Sequence, residues 1–386
     1  MKNNLTEKIN LILTTTFGLE AVVKREVLDL GYTDIKVSDG KVEVLNCEYK
    51  DIAKLNINIR CAERVLLKVL EKQVTSFSEL FDIVNEFSWE KYIEEDDIFP
   101  VDAVSINSKL FSRSDIQSIT KKAIVKRLSK AYGIEYFKEE KNLYNVKVSI
   151  LKDLATITID TSGEGLHKRG YRDRAGDAPL KETLAAAMVK LSFWNKDRML
   201  FDPFCGSGTI AIEAAMIGKN IAPGIDRDFS AKHWSSDMKE FFDKERTKAL
   251  KSIDFSAKLD IIACDIEKRN ILRARDNAQN IGVKDDIAFF VKDMRDVDLK
   301  DNYGVVITNP PYGERLMEEK EIVRLYTDFA KKMSRFKTWS IYLITSFKDF
   351  EKIYKRRADR KRKLYNGRIK IDYYQFYGPK PTDVIK

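Results

Sequence analysis

A glycine loop constrains this chain more than any other feature. Asp202-Pro203-Phe-Cys205-Gly206-Ser-Gly208-Thr-Ile-Ala211 lies between a β-type run, Met199–Phe201, and an apolar helical run, Ile210–Ile217. Gly206, Gly208 and Ala211 fit G-x-G-x-x-G/A: the glycines let the backbone turn and approach a ligand, and the small third residue lets helix and strand pack. Such a loop opens an α/β unit, and the following residues keep that rhythm. Asp260–Ala263, Ile287–Val291, Val305–Thr308 and Ser340–Thr345 read as strands, with a helix reaching about Asn280. Strands alternating with helices predict a parallel, doubly wound sheet. Asn366-Gly367 between two β-type runs predicts an antiparallel terminal hairpin. By itself the loop also suits a nicotinamide dehydrogenase or a plain tight turn.

Before about residue 165 the pattern differs. Leu11–Thr16 is β-rich, Gly18–Leu30 has helical spacing, and Ile35–Val37 and Val42–Leu45 flank Asp39-Gly40, a type I′ hairpin signal. This reads as a small α+β unit of ferredoxin-like character. A second small unit follows: strand Val65–Val69, helix Ser78–Phe87, strand Val101–Ile106, a helix from an N-cap at Ser114 to about Ala131, and a hairpin around Lys152-Asp153. On the long helix Lys122, Lys126 and Lys130 recur every four residues. Such a stripe is either a solvated face or a surface for nucleic-acid phosphates.

At 386 residues the chain exceeds one ordinary domain. No apolar run is long enough to span a membrane, and the N-terminal residues lack a secretory signal pattern, which points to the cytoplasm. Cys47, Cys61, Cys205 and Cys264 form no C-x-x-C pair, and His167 and His233 are the only histidines. No metal centre and no histidine-based nucleophile are expected. A formal charge of +9 allows a polyanionic partner.

Asn309-Pro310-Pro311-Tyr312 directly follows the apolar run Val305–Thr308, at the edge where open α/β sheets bind ligands. Its residue types suit methylation of an exocyclic amine. The lone pair of such an amine is delocalised into the base, so the nitrogen is a poor nucleophile. The Asn309 side-chain oxygen and the Pro310 carbonyl can accept its two N–H hydrogens and turn the lone pair toward a methyl donor. Two prolines hold that carbonyl direction rigid. Tyr312 can stack on the base. A structural turn can also read this way. A nucleotide-type cofactor further needs an acid for its ribose; Asp226 has the usual spacing, whereas Asp265 ends the apolar run Ile261–Cys264. Strand context favours Asp265 and makes the intervening stretch an insertion.

The glycine loop and Asn309-Pro310-Pro311-Tyr312-Gly-Glu-Arg315, in that order, resemble class I S-adenosylmethionine-dependent methyltransferases acting on exocyclic amines. Thr161-Ser-Gly-Glu-Gly-Leu-His167-Lys-Arg-Gly-Tyr-Arg172 and Ala178-Pro-Leu-Lys-Glu-Thr183-Leu-Ala185 are similar to the narrower group of THUMP-domain RNA methyltransferases related to the large-subunit rRNA guanine 2-amino methylase. The resemblance implies a ferredoxin-like segment over 1–65, a THUMP RNA-binding domain over 66–164 and a Rossmann-like methyltransferase domain over 165–386. It implies S-adenosylmethionine as cofactor and RNA as partner, rRNA first and tRNA second. Asp202, Pro203, Cys205, Gly206, Gly208 and Thr183 would line the methionine and ribose part of the cofactor. Asp265 would take the ribose hydroxyls beside Ile266, and Asp293 the adenine amine beside Met294. Lys122, Lys126, Arg172 and Arg315 would meet RNA.

Lys352–Lys363 holds eight Lys or Arg in twelve residues, against one Asp. It reads equally as a solvated helix or an RNA-backbone contact. Within the same chemistry the rival function is an adenine 6-amino methylase on DNA. A non-catalytic RNA-binding or assembly factor that kept the fold is a rival of another class.

Overall fold

A computed structural model describes residues 7–172, 180–300, 302–311, 319–367 and 369–381. The chain packs into two compact units. The first takes residues 1–15, 23–166 and 224–249, and the second takes residues 16–22, 167–223 and 250–386.

The first unit is built on one mixed sheet. Its strands are β1 (Ile9–Thr14), β2 (Ile35–Ser38), β3 (Lys41–Cys47), β4 (Arg64–Gln73), β5 (Val101–Ile106), β6 (Val146–Leu151) and β7 (Leu154–Asp160), in the order β2-β3-β1-β4-β7-β6-β5. The expected step from one small unit to another near residue 65 is no break in the sheet. β4 pairs antiparallel with β1 through Arg64–Lys68 and with β7 through Leu66–Gln73. Helices α1 (Glu20–Asp29), α2 (Tyr49–Asn58), α3 (Phe77–Glu86) and α4 (Arg113–Tyr132) connect the strands.

Two local expectations need correcting. Asp39-Gly40 closes the β2–β3 hairpin, but only Gly40 has a positive φ, so the turn is not type I′. Both central residues are positive instead at Lys152-Asp153, φ 51° and 64°, between β6 and β7. Helix α4 starts at Arg113 with Ser112 in the cap position, which puts Ser114 inside the first turn.

The second unit has strands β8 (Leu200–Asp202), β9 (Ile261–Asp265), β10 (Ala288–Val291), β11 (Val305–Thr308), β12 (Ser340–Thr345), β13 (Arg360–Asn366) and β14 (Ile369–Phe376). They run in the order β10-β9-β8-β11-β12-β14-β13. The first five are parallel; β14 is antiparallel to β12, and β13 to β14. This is the expected Rossmann-like doubly wound sheet with an antiparallel terminal hairpin. Helices α5 (Glu182–Leu191), α6 (Thr209–Gly218), α8 (Lys268–Asn280), α9 (Glu319–Met333) and α10 (Phe350–Tyr354) belong to it, α7 being described below. β11 and β12 are buried along their whole length, as strands covered on both faces must be. Phe201, Val306, Tyr326, Phe329, Leu343, Phe350 and Tyr374 pack in one cluster on the α9 side. The basic run Lys352–Lys363 is not a helix throughout: α10 ends at Tyr354, and from Arg360 the chain is edge strand β13.

The stretch read as an insertion joins the first unit. It carries most of α7 (Ser236–Lys251). Gly224 donates its N–H to the Ile57 carbonyl at 2.9 Å, and a Cβ on it would lie 2.8 Å from the Asn56 carbonyl oxygen, so glycine alone permits the approach. Asn58 bonds Glu245 at 2.8 Å, and Trp234 stacks on Tyr144 with centroids 4.8 Å apart.

Candidate functional site

Three neighbouring parallel strands of the second unit end side by side. β9 ends at Asp265, β8 at Asp202 and β11 at Thr308, followed by Asn309. The strand order reverses at β8, the switch point where ligands of open α/β sheets bind.

Asp202 is 1% exposed. Thr308 donates its hydroxyl to Asp202 Oδ1 at 2.7 Å, and the Phe204 N–H lies 3.3 Å from the same oxygen. Burial nonetheless pushes the carboxyl up to about 7, because taking the charged form out of water outweighs those donors. Asp202 Oδ2 is buried with no hydrogen-bond partner among the described residues, and so is Asn309 Oδ1. Unpaired buried acceptors are costly, and two at adjacent strand ends mark a place made for donors.

The glycine loop turns over these ends. Gly206 and Gly208 have φ of 52° and 80°. Gly208 also lies against α8, where an added Cβ would sit 2.9 Å from the Ala274 Cβ. Gly206 donates its N–H to Asp265 Oδ2 at 3.0 Å, and Asp265 Oδ1 accepts from the Glu267 N–H at 2.9 Å and from Asn270 at 3.1 Å. Of the two candidate acids, Asp265 stands beside the loop, whereas Asp226 is an exposed residue of the first unit. Ile266, next to Asp265, is 67% exposed despite its apolar side chain. Pro203 and Cys205 are buried, and Cys205 donates its N–H to the Cys264 carbonyl at 3.0 Å. Burial pushes the Cys205 thiol well up, so it stays protonated.

Asp293 follows β10 and is half-buried, with its carboxyl held low by the Arg295 guanidinium bonded to it. Arg295 also pairs with Asp328 at 2.9 Å. Met294 is buried in the core beside Phe201 and Cys264. Thr183 is buried near the start of α5. Tyr312 and Arg315 lie outside the described residues, as does Pro179.

Arg172 corrects an expectation. Expected at RNA, its guanidinium turns inward: it pairs with Glu182 at 3.0 Å, donates to the Leu180 carbonyl at 2.9 Å and bonds the Thr209 hydroxyl. Nearby Arg169 is buried against Glu213 of α6 at 3.2 Å. This basic segment therefore braces the helix that the glycine loop opens. Lys122 and Lys126, by contrast, are exposed on α4, with Lys126 Nζ 5.3 Å from the centre of the Phe81 ring.

Five contributors escaped the sequence reading. Thr308 fixes Asp202. Asn277 donates to the Ser207 carbonyl at 3.0 Å. With Asn270 and Ala274 it forms an i, i+4, i+7 face on α8 that meets the loop and Asp265, a spacing visible in the sequence. Tyr326 of α9 donates to the Pro311 carbonyl at 3.1 Å and lies 2.8 Å from the Thr345 hydroxyl; its role depends on packing that no local pattern reveals.

The comparison with known proteins matches this geometry. Residues 169–375 match the family model described as "RMKL-like, methyltransferase domain". The chain belongs to the RMKL-like methyltransferases. Residues 10–66 match the RlmL ferredoxin-like domain and 74–160 the THUMP domain. The chain is 44% identical over 373 residues to "Putative RNA methyltransferase YpsC" of Bacillus subtilis (strain 168), covering 96% of each. Among solved structures, "SMU.472, a putative methyltransferase complexed with SAH" superposes with a TM-score of 0.91 at 41% identity, over 98% of this chain and 100% of that one. "A predicted N6-adenine-specific DNA methylase from Listeria monocytogenes str. 4b F2365" gives 0.91 at 44% identity, over 97% of both. Among the described residues, no helix of this RMKL-like chain is long and apolar enough to cross a membrane, and no cluster of His, Cys, Asp or Glu could hold a metal ion.

Proposed function

We propose that this RMKL-like protein transfers a methyl group from S-adenosylmethionine to the exocyclic 2-amino group of a guanine in RNA, with 23S rRNA as the substrate and the cytoplasm as the place. It is a methyltransferase by family, and its THUMP match over residues 74–160 supports RNA as the substrate class. The observation that carries the reading is the buried Asn309 Oδ1, without a partner among the described residues, at the end of β11, beside Asp202 and followed by two prolines.

S-adenosylmethionine is the cofactor, and the residues present fit it. Asp202 Oδ2 is a buried acceptor without a donor among the described residues, as the methionine ammonium requires. Asp265 is an acid beside the glycine loop for the ribose, and exposed Ile266 offers an apolar face for adenine. Asp293 lies one strand further on for the adenine amine, while the Met294 side chain is taken up by the core. When bound, the cofactor supplies a methyl group on an already activated sulfonium.

The chain's own residues then have little covalent work. Asn309 Oδ1 and the Pro310 carbonyl accept the two hydrogens of the target amine, which localises its lone pair. Tyr312 stacks on the base. The Pro310-Pro311 pair fixes the carbonyl, and Tyr326 holds Pro311 from behind. Catalysis here is positioning in a preorganised polar site.

A second reading keeps the pocket and changes the base. An adenine 6-amine presents the same two hydrogens, and the Listeria relative bears that description. One experiment separates the two: tritiated methyl transfer to total rRNA and, in a parallel reaction, to genomic DNA, both from a strain lacking the protein, followed by nucleoside analysis. The expected product is 2-methylguanosine. A 6-methyladenosine product would overturn the base, and label entering only DNA would overturn the substrate class.

A further inference from the structure

Seven of the eight cations of Lys352–Lys363 fall into two sets, and Arg362 belongs to neither. Lys352 pairs with Asp349 at 2.8 Å, Arg356 with Asp359 at 2.7 Å and Lys361 with Asp372 at 3.0 Å. Lys355, Arg357, Arg360 and Lys363 are exposed and make no side-chain hydrogen bond or ion pair among the described residues. β13, which carries two of them, is the outermost strand of its sheet. Lysines on an edge strand can serve only to block edge-to-edge pairing, and charge alone would suffice for that.

Something else stands beside them. Phe17 is 55% exposed, and its ring meets Tyr365 of β13 edge-on, with centroids 6.5 Å apart. Phe17 belongs to residues 16–22, the short N-terminal piece of the second unit. Neighbouring Gly18 lies so close to β13 that a Cβ would come within 2.8 Å of the Lys363 carbonyl oxygen. An exposed Phe17 on a half-buried Tyr365 thus stands on the strand face that carries Lys363, with Lys355 and Arg357 in the turn before the strand and Arg360 at its start on the other face. Such cations displace counterions from phosphates, and an exposed ring can stack an unpaired base of any sequence.

We propose that β13 and the turn before it, with the Phe17–Tyr365 pair, form an RNA-contact surface on the methyltransferase unit itself: Lys355, Arg357, Arg360 and Lys363 at the backbone and Phe17 on an unpaired base. The inference rests on RNA being the substrate class. It adds a contact separate from both the THUMP region and the strand-end site.

The test uses the full-length protein and labelled fragments of total bacterial rRNA, with binding measured over a range of salt concentrations. The variants are Lys355→Ser/Arg357→Ser/Arg360→Ser/Lys363→Ser and, separately, Phe17→Ala. S-adenosylmethionine affinity, expected to stay at the wild-type value, reports intact folding. The quadruple variant should lose roughly 2–4 from the magnitude of the log–log salt slope, at about 0.7–0.9 per phosphate contact. Phe17→Ala should bind roughly 5–100-fold more weakly with the slope unchanged, as loss of one stacked base does. A quadruple variant with wild-type slope and affinity overturns the surface, and Phe17→Ala with wild-type affinity overturns the stacking role. Failure of the RNA-methylation reading would show separately, as wild-type protein that transfers no methyl group to any RNA.

Discussion

Each unit spends seven strands on one sheet, and the two sheets put their chemistry in different places. In the second unit β8, β11 and β12 are buried throughout. Parallel strands covered on both faces offer no open face, so in that part of the sheet ligand groups gather where the strands stop, at Asp202, Asp265 and Asn309. In the first unit β2 and β5 expose residues, and β6 alternates buried with open positions. That unit offers area, and its exposed cations Lys122, Lys126 and Lys130 lie along one helix. The lesson concerns magnitude. A buried acceptor acts in low dielectric with no solvent to replace it, whereas a surface lysine makes one screened contact among several.

The largest effect should follow from removing the buried acceptor. Asn309→Ala should lower turnover by roughly 100–1000-fold, the usual cost of deleting one preorganised hydrogen-bonding group, with S-adenosylmethionine affinity by calorimetry unchanged. Near-normal turnover would put the enclosed site on a level with the open surface and break the contrast.

Asp202 tests enclosure through pH. Its carboxyl is raised from 3.8 to about 7, so between those values the folded chain holds a proton that the unfolded chain has lost. Stability from the neutral carboxyl is complete below about pH 4 and is lost as pH rises through 7. Asp202→Asn removes this dependence. The variant should gain on the wild type from about pH 4 upward, levelling above pH 7 at no more than about 4 kcal/mol in denaturant unfolding. Parallel stability curves at every pH would show an acid less enclosed than its surroundings imply.

A milder change is expected from Tyr326→Phe, which removes the donor to the Pro311 carbonyl and keeps the ring. The kcat should fall by about 10-fold, the worth of one hydrogen bond at roughly 1.4 kcal/mol. Cofactor affinity should hold, and so should the melting temperature to within a few degrees. Equal losses in kcat and cofactor affinity would assign Tyr326 to the packing of α9 rather than to the proline loop.

The smallest effects belong to the first unit. Lys122→Gln/Lys126→Gln/Lys130→Gln should weaken RNA binding only several-fold at physiological salt and flatten its salt dependence, with no change in product. A changed methylated base would mean that the open surface helps choose the target.

What could be read in advance follows the same division. Glycine spacing, apolar runs and strand-end acids are local patterns, so the second sheet, its terminal hairpin and the position of Asp265 were legible. Arg172 was misread because a cation in a basic segment looks like an RNA contact until Glu182 and Thr209 are seen around it. The Asp39-Gly40 turn was misassigned because dipeptide preference does not fix both φ values. Strand β13 hid inside a basic run, since an edge strand can be charged on both faces. Tyr326 had no signal at all, because it meets Pro311 and Thr345 only after α9 has packed.

The route of the chain has a consequence for its synthesis. Residues 224–249 complete the first unit but are made after residues 167–223 of the second, whose larger part, 250–386, is still to come. A ribosome adding roughly 5–20 residues per second takes about 4–17 s to pass from Leu166 to Ala249. Throughout that interval Asn58 waits for Glu245 and Tyr144 waits for Trp234. The nascent protein therefore carries two unfinished folds at once, and neither half could be cut out of the gene as a single continuous piece.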